Sequence, residues 1–581
     1  SEGYIMKSIS VMRWLLAAAI LVLLSAGSFA QPDGHPRLLS ATVIGTAGPD
    51  DFQGVAFAPD GTILAVGNFD QLLTPPAGIP TVTLGTPVDG SWYRCGVVAQ
   101  FSTDGKQLLR LVQFARGQVF LCSVAANKDG VYAGGYAVPQ SAPLFADLKG
   151  FFPTATAANA APIPWPLPGD PVKAGQPNEN PTDNHTLTIL SRSHGDKEGI
   201  PCVLRLDIDL SKLIGGTYLE GHHYAWNVGD DIKEDEWTPT PLGFLADGTL
   251  VVGHDGGVPG HYYYAPDYVS RLAPDLTKRV WRYDLFFPNT SIDKIANHLT
   301  NREPRAKEWR APIFGQVRIL GLRTNGKDGI YVCGWSVSYT SGEPWWVPFL
   351  FKLNANGDTA WKAYSFDPMS GTGDRVSGDV ADSLFRNVAL SADGDVLLSG
   401  MADGGNSVLR KNPLNYDINP QNPFRGNQGT APYRGGIRYK GLTIRMSETL
   451  EMKSGTWIAM AGKPGWVIDL AGLPGKRIVT FGRHTYGYAV TPNAWDTTTA
   501  GPAAFLRVTD EGFKDQFLTS LPDVLPYAVA VSDTRVAAVG IARGSKAPVK
   551  DAAITQQAGG LDAYLLVADF PLPEEKPAVV K

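Results

Sequence analysis

The chain predicts an all-β fold, a seven-bladed β-propeller of four-stranded antiparallel blades, on three observations. A two-hairpin unit recurs along the 581 residues, tight acidic-Gly turns close its hairpins, and its last copy is split between the two ends. GVAFAPDGTILAVGNF (54–69) and NVALSADGDVLLSGMA (387–402) are copies of the first hairpin, and GVVAQFSTDGKQLLRLVQF (96–114) and FLFKLNANGDTAWKAYSF (349–366) are copies of the second. The final copy stops after DAYLLVADF (562–570), and the strand it lacks stands near the N-terminus as RLLSATVIGT (37–46). A ring closed by 37–46 pairing with 562–570 is therefore expected, since radial repetition protects sheet edges. A linear solenoid would leave the half-unit unpaired.

From the N-terminus, Lys7 and Arg13 precede the apolar run Trp14 to Leu24, and Ser28-Phe29-Ala30 places small residues at −3 and −1. Residues 1–30 read as a secretory signal peptide cleaved before Gln31, with 1–5 an upstream read-through if Met6 or Met12 is the start. The run is short for a membrane span, so none is expected after cleavage. Residues 31–570 read as one propeller. The Pro- and Glu-bearing end, 571–581, reads as a disordered tail.

Within a unit, alternating apolar residues such as Val55 and Phe57 mark a first strand with one buried face. Ala58-Pro59-Asp60-Gly61 turns the chain, with Gly supplying positive φ. The second strand is Val- and Gly-rich, the third resembles Val97–Phe101, and the fourth resembles Leu108–Phe114. First hairpins fall near 54–69, 121–136, 242–255, 316–336, 387–402, 466–482 and 526–541. Second hairpins begin near 96, 202, 268, 349, 407, 503 and 562; the fifth, from Ser407-Val408-Leu409-Arg410, is the least regular, its fourth strand falling within 436–460.

Thr491-Pro492-Asn493-Ala494-Trp495 with Ala503–Val508, Gly559–Leu566 and Phe349–Asn354 resemble the SBBP-type β-propeller repeats of exported bacterial proteins. The resemblance covers most of 37–570 and departs in the long insertions and in the fifth and sixth units. It implies a fold and an exported location, secreted, periplasmic or cell-surface; it implies no single activity and no catalytic residues.

Composition is 44% apolar and 18% charged, with 64 Gly and 44 Pro, as suits a turn-rich β chain. Without residues 1–30, Lys and Arg number 49 and Asp and Glu 55, a mildly acidic balance with no basic block, which argues against nucleic acid as a partner. Cys95, Cys122, Cys202 and Cys333 permit two disulfides in an exported chain, or none; their spacing is not that of a zinc site.

Strand alternation puts tight turns such as Asp60-Gly61 and Asp393-Gly394 on one face and the insertions, notably 138–199 and 411–465, on the other. Loops on a rigid scaffold commonly carry binding, which makes the long-loop face the candidate. Its densest cluster surrounds the third unit: His222, His223, Trp226, Asp231 and Trp237, then His254, Asp255 and His261 across the first hairpin. Aromatic faces with flanking acids can stack on and hydrogen-bond a polysaccharide. Imidazoles and carboxylates could hold a divalent metal, although no ligand spacing is recognisable. Paired acids could serve glycosidic chemistry. The bland alternative is that the aromatics pack the loops and the acids are solvated.

The expectation is an exported propeller that binds a polysaccharide or cell-surface protein through its long-loop face, without catalysis and with no cofactor predicted, a divalent metal being allowed. The alternatives are a glycan hydrolase or lyase with an acid/His site near the third blade, and a structural envelope or matrix protein. Asn354–Trp361 also resembles the docking repeat of quinone-cofactor dehydrogenase propellers, in one unit only.

Overall fold

A computed structural model describes residues 35–88, 94–138, 198–219, 240–254, 267–285, 317–339, 344–364, 383–402, 440–458, 465–484, 490–497, 503–556 and 560–572, with 144, 148, 177–178, 223–224 and 409. Its strands form seven four-stranded antiparallel sheets, one per unit, arranged as a β-propeller. Blade 1 runs Asp51–Phe57, Ile63–Phe69, Cys95–Phe101 and Leu108–Phe114 from axis to rim. Blade 7 draws on both ends of the chain: Val524–Ser532, Arg535–Ala542 and Asp562–Asp569, with Arg37–Ile44 as its fourth strand. That last pairing is antiparallel, from Arg37 opposite Asp569 to Ile44 opposite Ala563, as the split repeat predicts. Each first strand touches the first strands of both neighbouring blades, blade 7 against blade 1 included. The cores lie in layers between blades, where for instance Ile63, Ala65 and Val97 of blade 1 pack with Val539, Leu565 and Val567 of blade 7.

Blade 5 corrects the sequence reading. Its third and fourth strands are Lys440–Met446 and Met452–Ile458, not a hairpin from 407. Leu442, Ile444 and Met446 supply the alternating buried residues that pair with Val396–Ala402. Leu409, the apolar residue that suggested a strand, instead fills the core between blades 4 and 5. The cysteine question also resolves: all four thiols are free and buried.

One irregularity recurs. In six blades the pairing of first with second strand slips by one residue, leaving Gln53, Cys122, Leu320, Arg386, Ile468 and Tyr527 as the extra residues of β-bulges. Opposite each slip the second strand carries Gly: Gly67, Gly135, Gly334, Gly400, Gly482 and Gly540. A Cβ there would lie 1.8–2.3 Å from a first-strand carbonyl oxygen, that of Asp51, Phe120, Arg318, Leu384, Trp466 or Leu525 respectively. The bulge bends the strand and tips that carbonyl over its partner, so only Gly fits. This is the physical reason for the Val- and Gly-rich second strand. Blade 3 has no such slip among the described residues: its first strand is only Leu242–Phe244.

Buried carboxylates tie one blade to the next. Asp469, beside the blade 6 bulge, accepts from Asn387 of blade 5 and from the backbone N–H groups of Leu470 and Val529, the last on blade 7. Asp50 accepts from Thr46 N–H and Oγ and from Asp70 N–H, and its own N–H donates to Leu561, joining blades 7 and 1. Three donors converge on each group, an arrangement that favours the ionised carboxylate. Burial nevertheless dominates, and both carboxyls are pushed up to about 6.

Candidate functional site

First strands begin on the long-loop face and run towards the tight-turn face, so the bulges sit near the long-loop end of the axis. Two of their residues, Arg386 and Tyr527, influence each other electrostatically. The Tyr527 phenol, on blade 7, lies in the field of Arg386 on blade 5 as well as of Asp51 and Arg94 on blade 1 and Arg543 on its own blade. Blade 6 separates blades 5 and 7, so this electrostatic interaction spans two blade boundaries. Arg483 of blade 6 in turn feels Arg543 and Tyr527; burial, together with Arg543, pushes it down to about 10, and it stays cationic at neutral pH. Its guanidinium lies 5.4 Å from the ring centroid of Trp466 on the same blade. Trp466 packs with Leu320 and Trp335 of blade 4 and Leu384 and Met401 of blade 5, forming an apolar wall beside the cationic one.

Several donors on these and neighbouring strands lack an acceptor among the described residues. The Tyr527 hydroxyl, Trp466 Nε1, Gln53 Nε2 and Arg94 Nε are buried atoms without a hydrogen-bond partner among the described residues. Arg94 is otherwise held by Asp51 and by Pro49 O at 2.6 Å, and Asp51 also accepts from Asn68. Burying a donor unpaired costs about 1–3 kcal/mol. Burial drives the Tyr527 phenol well above its usual range, which keeps it protonated and a donor.

The residues singled out around the third unit fare differently. His222, Trp226, Asp231, Trp237, Asp255 and His261 lie outside the described residues. His223 falls in the short strand His223–Tyr224, whose backbone pairs His223 with Gly199. His254 is fully buried at the end of its strand; Nε2 is 2.9 Å from Ser270 Oγ and the ring packs 5.4 Å from Tyr268. It occupies the position that follows the second-strand Gly, equivalent to Asn68, Tyr136, Trp335, Met401, Arg483 and Ile541, most of them buried. In blade 1 that position is structural: Asn68 bonds both N–H and C=O of Leu121 on blade 2. No group of three or more His, Cys, Asp or Glu suited to a metal occurs among the described residues.

The bulge residues were missed because the units were registered on their alternating apolar positions. Aligned on the second-strand Gly, the first strands read Gln53-Gly54-Val55, Cys122-Ser123-Val124, Leu320-Gly321-Leu322, Arg386-Asn387-Val388, Ile468-Asp469-Leu470 and Tyr527-Ala528-Val529. A variable residue precedes a small or short polar one and then Val or Leu, and the variable residue is the bulge.

No protein-family model and no curated protein matches the chain. Among solved structures it is similar to the quinohemoprotein alcohol dehydrogenase of Comamonas testosteroni, with 10% identity over 94% of this chain and 79% of that one and a TM-score of 0.35. It is also similar to the alpha-L-arabinanase of Penicillium chrysogenum complexed with arabinobiose, at 9% identity over 92% and 99% and a TM-score of 0.33. An apocarotenoid oxygenase of Synechocystis follows at 9% identity over 63% and 69% and a TM-score of 0.27. Likenesses this distant carry no argument about what the chain does. No helix among the described residues is long and apolar enough to cross a membrane.

Proposed function

We propose that this chain is an exported propeller of the SBBP type that binds a polysaccharide at the long-loop end of its axis and releases it unchanged. The observation that carries the reading is an aromatic wall, Trp466 with Trp335, where blades 4, 5 and 6 meet, in which Trp466 Nε1 is a buried donor without a partner among the described residues. Sugars present both an apolar C–H face, which stacks on aromatic rings, and a dense set of acceptors. A binding role needs no further group, whereas turnover would need a tuned acid and base converging on one bond. The two carboxyls raised to about 6, Asp50 and Asp469, are each occupied by three donors in holding blades together.

A glycan array probed with the full chain tests this. Binding to a defined polysaccharide, lost in Trp466→Ala and largely kept in Trp466→Phe, is expected; a chain that binds no glycan, or that releases shortened products, sinks the reading. Export predicts that the mature protein begins at Gln31, which N-terminal sequencing of the secreted form checks.

A further inference from the structure

We infer that blades 5 and 6 hold a cluster of ordered water molecules between them, bonded to the hydroxyls of Ser399, Thr443 and Thr480. Among the described residues, the buried Ser and Thr hydroxyls without a hydrogen-bond partner are those of Ser399, Thr443, Thr480, Thr509 and Ser520, and all five belong to this one interface. Strand register places them. Ser399 lies directly opposite Thr443 in blade 5, on the face that carries Leu397, which packs with Leu470 and Ile478 of blade 6. Thr480 follows Ile478 by two residues and so faces the same way, at the level of Ser399. Thr509 pairs with Ile478, and Ser520 pairs with Phe505, which packs with Ile458 of blade 5.

The rest of the ring shows what these positions ordinarily hold. In blades 1, 4, 6 and 7 the pair equivalent to Ser399 and Thr443 is Val66 with Val98, Cys333 with Leu350, Phe481 with Leu506, and Val539 with Leu565. Thr480 stands where the other bulged blades have Ala65, Ala133, Val332, Leu398 and Ala538. Three positions that are apolar in those blades are hydroxyls here, and they converge on one interface. The apolar packing is divided to match. Leu397 and Ile478 belong to one cluster on the tight-turn side, Ile458 and Phe505 to another on the long-loop side. The interfaces on either side each centre on one large cluster.

Water is the ligand that fits. Ser399 and Thr443 fill less space than Phe481 and Leu506 do at the next interface, which makes room. Each hydroxyl donates one hydrogen bond and accepts two, and a buried water makes about three bonds to groups that otherwise have none. An apolar ligand would leave the hydroxyls unpaired. An anion would find the cations of these strands taken, Arg445 by Asp395 and Glu511 and Arg507 by Asp515. Both ends of the seam are fastened: Lys440 pairs with Gly465 at the long-loop end, and Arg445 holds Glu511 at 2.6 Å on the tight-turn side. A molecule enclosed as the blades come together meets that condition, whereas a large ligand would have to part them.

A high-resolution crystal structure of the full chain, with urea denaturation of Thr443→Val and Thr480→Val, tests the inference independently of the glycan reading. Valine keeps the shape of threonine and removes the hydroxyl. If that hydroxyl holds water, valine strands the water and lowers the urea midpoint; if it is unpaired, valine relieves it and raises the midpoint. We expect ordered water bonded to at least two of Ser399, Thr443 and Thr480, and a lowered midpoint in both variants. Thr83→Val, on an exposed strand of blade 1, is the control for the change of residue type. Hydroxyls bonded directly to one another or to backbone with no water among them, a solute other than water in their midst, or a midpoint raised or unmoved by valine overturns the inference. Should a variant fail to fold, the crystal structure of the unaltered chain decides alone.

Discussion

Blade 3 and the other six blades solve the same packing problem in two ways. Six place a bulge in the first strand opposite a glycine in the second, which frees one residue per blade from the ladder. Blade 3 pairs only Leu242–Phe244 with Leu250–Val252, in register, and a Cβ on its Gly253 would meet the side chains of Ile319 at 2.9 Å and Pro241 at 3.2 Å. The sequence draws the eye to blade 3, for its histidines, tryptophans and acids. The repeated irregularity points instead to the axis, where Arg386 and Tyr527 come from bulges. Repetition separates the two: a residue type recurring at one position is scaffold, and variation at a position that geometry frees is where function can be written.

The sharpest way to break this comparison is to add one carbon. Gly540→Ala puts a methyl 2.0 Å from the Leu525 carbonyl, which cannot move without undoing the bulge. We expect a loss of about 3 kcal/mol or more, or failure to fold. Gly253→Ala meets only side chains and should cost about 1 kcal/mol or less. Urea denaturation of the two variants decides it; equal costs would mean that the bulge carbonyl is not what demands glycine.

His254→Ala sharpens the contrast between scaffold and site. Removing a buried ring and its bond to Ser270 should cost about 2–3 kcal/mol of stability. Glycan affinity, measured below the melting temperature, should stay within about twofold. A normal melt with binding abolished would return the site to blade 3.

Much of the fold was legible because it depends on local, repeated signals. The Asp60-Gly61 and Asp393-Gly394 turns, the apolar alternation and the split strand 37–46 each have one structural solution, and Gly61 and Gly394 indeed take positive φ. Elsewhere the turn chemistry was hidden. Leu210, Leu276, Leu450 and Phe513 adopt positive φ without being glycine, their strain offset by burial of the side chain. Blade 5 was misplaced because Leu409 and a strand residue look alike in sequence when both are buried. The bulge positions were illegible for a different reason: Gln53, Arg386, Ile468 and Tyr527 share no motif and lie up to 474 positions apart, and only the strand register shows them to be equivalent.

The blade-to-blade carboxylates carry the comparison into pH. Asp469 belongs to a bulged blade and bridges blades 5, 6 and 7, and burial raises its carboxyl from 3.8 to about 6. A carboxyl raised on folding binds a proton in the folded state that the unfolded state has already released between about pH 4 and pH 6. Its stabilising contribution is therefore complete below about pH 4 and is lost as pH rises through about 6, on the order of 2–3 kcal/mol in all. Asp50, raised to about 6 for the same reason, adds a parallel slope at the junction of blades 7 and 1. Asp469→Asn should remove its share of the slope. It should also lower stability at pH 7 by about 1–3 kcal/mol, because an amide nitrogen faces a donor where the carboxylate oxygen accepted from Val529 or Leu470. Denaturation midpoints at pH 4, 5, 6 and 7 read both effects. A variant that is less stable at pH 7 yet keeps the full slope would assign the titration to Asp50 alone, and would make the hydrogen bonds of Asp469, not its charge, the tie between the bulged blades.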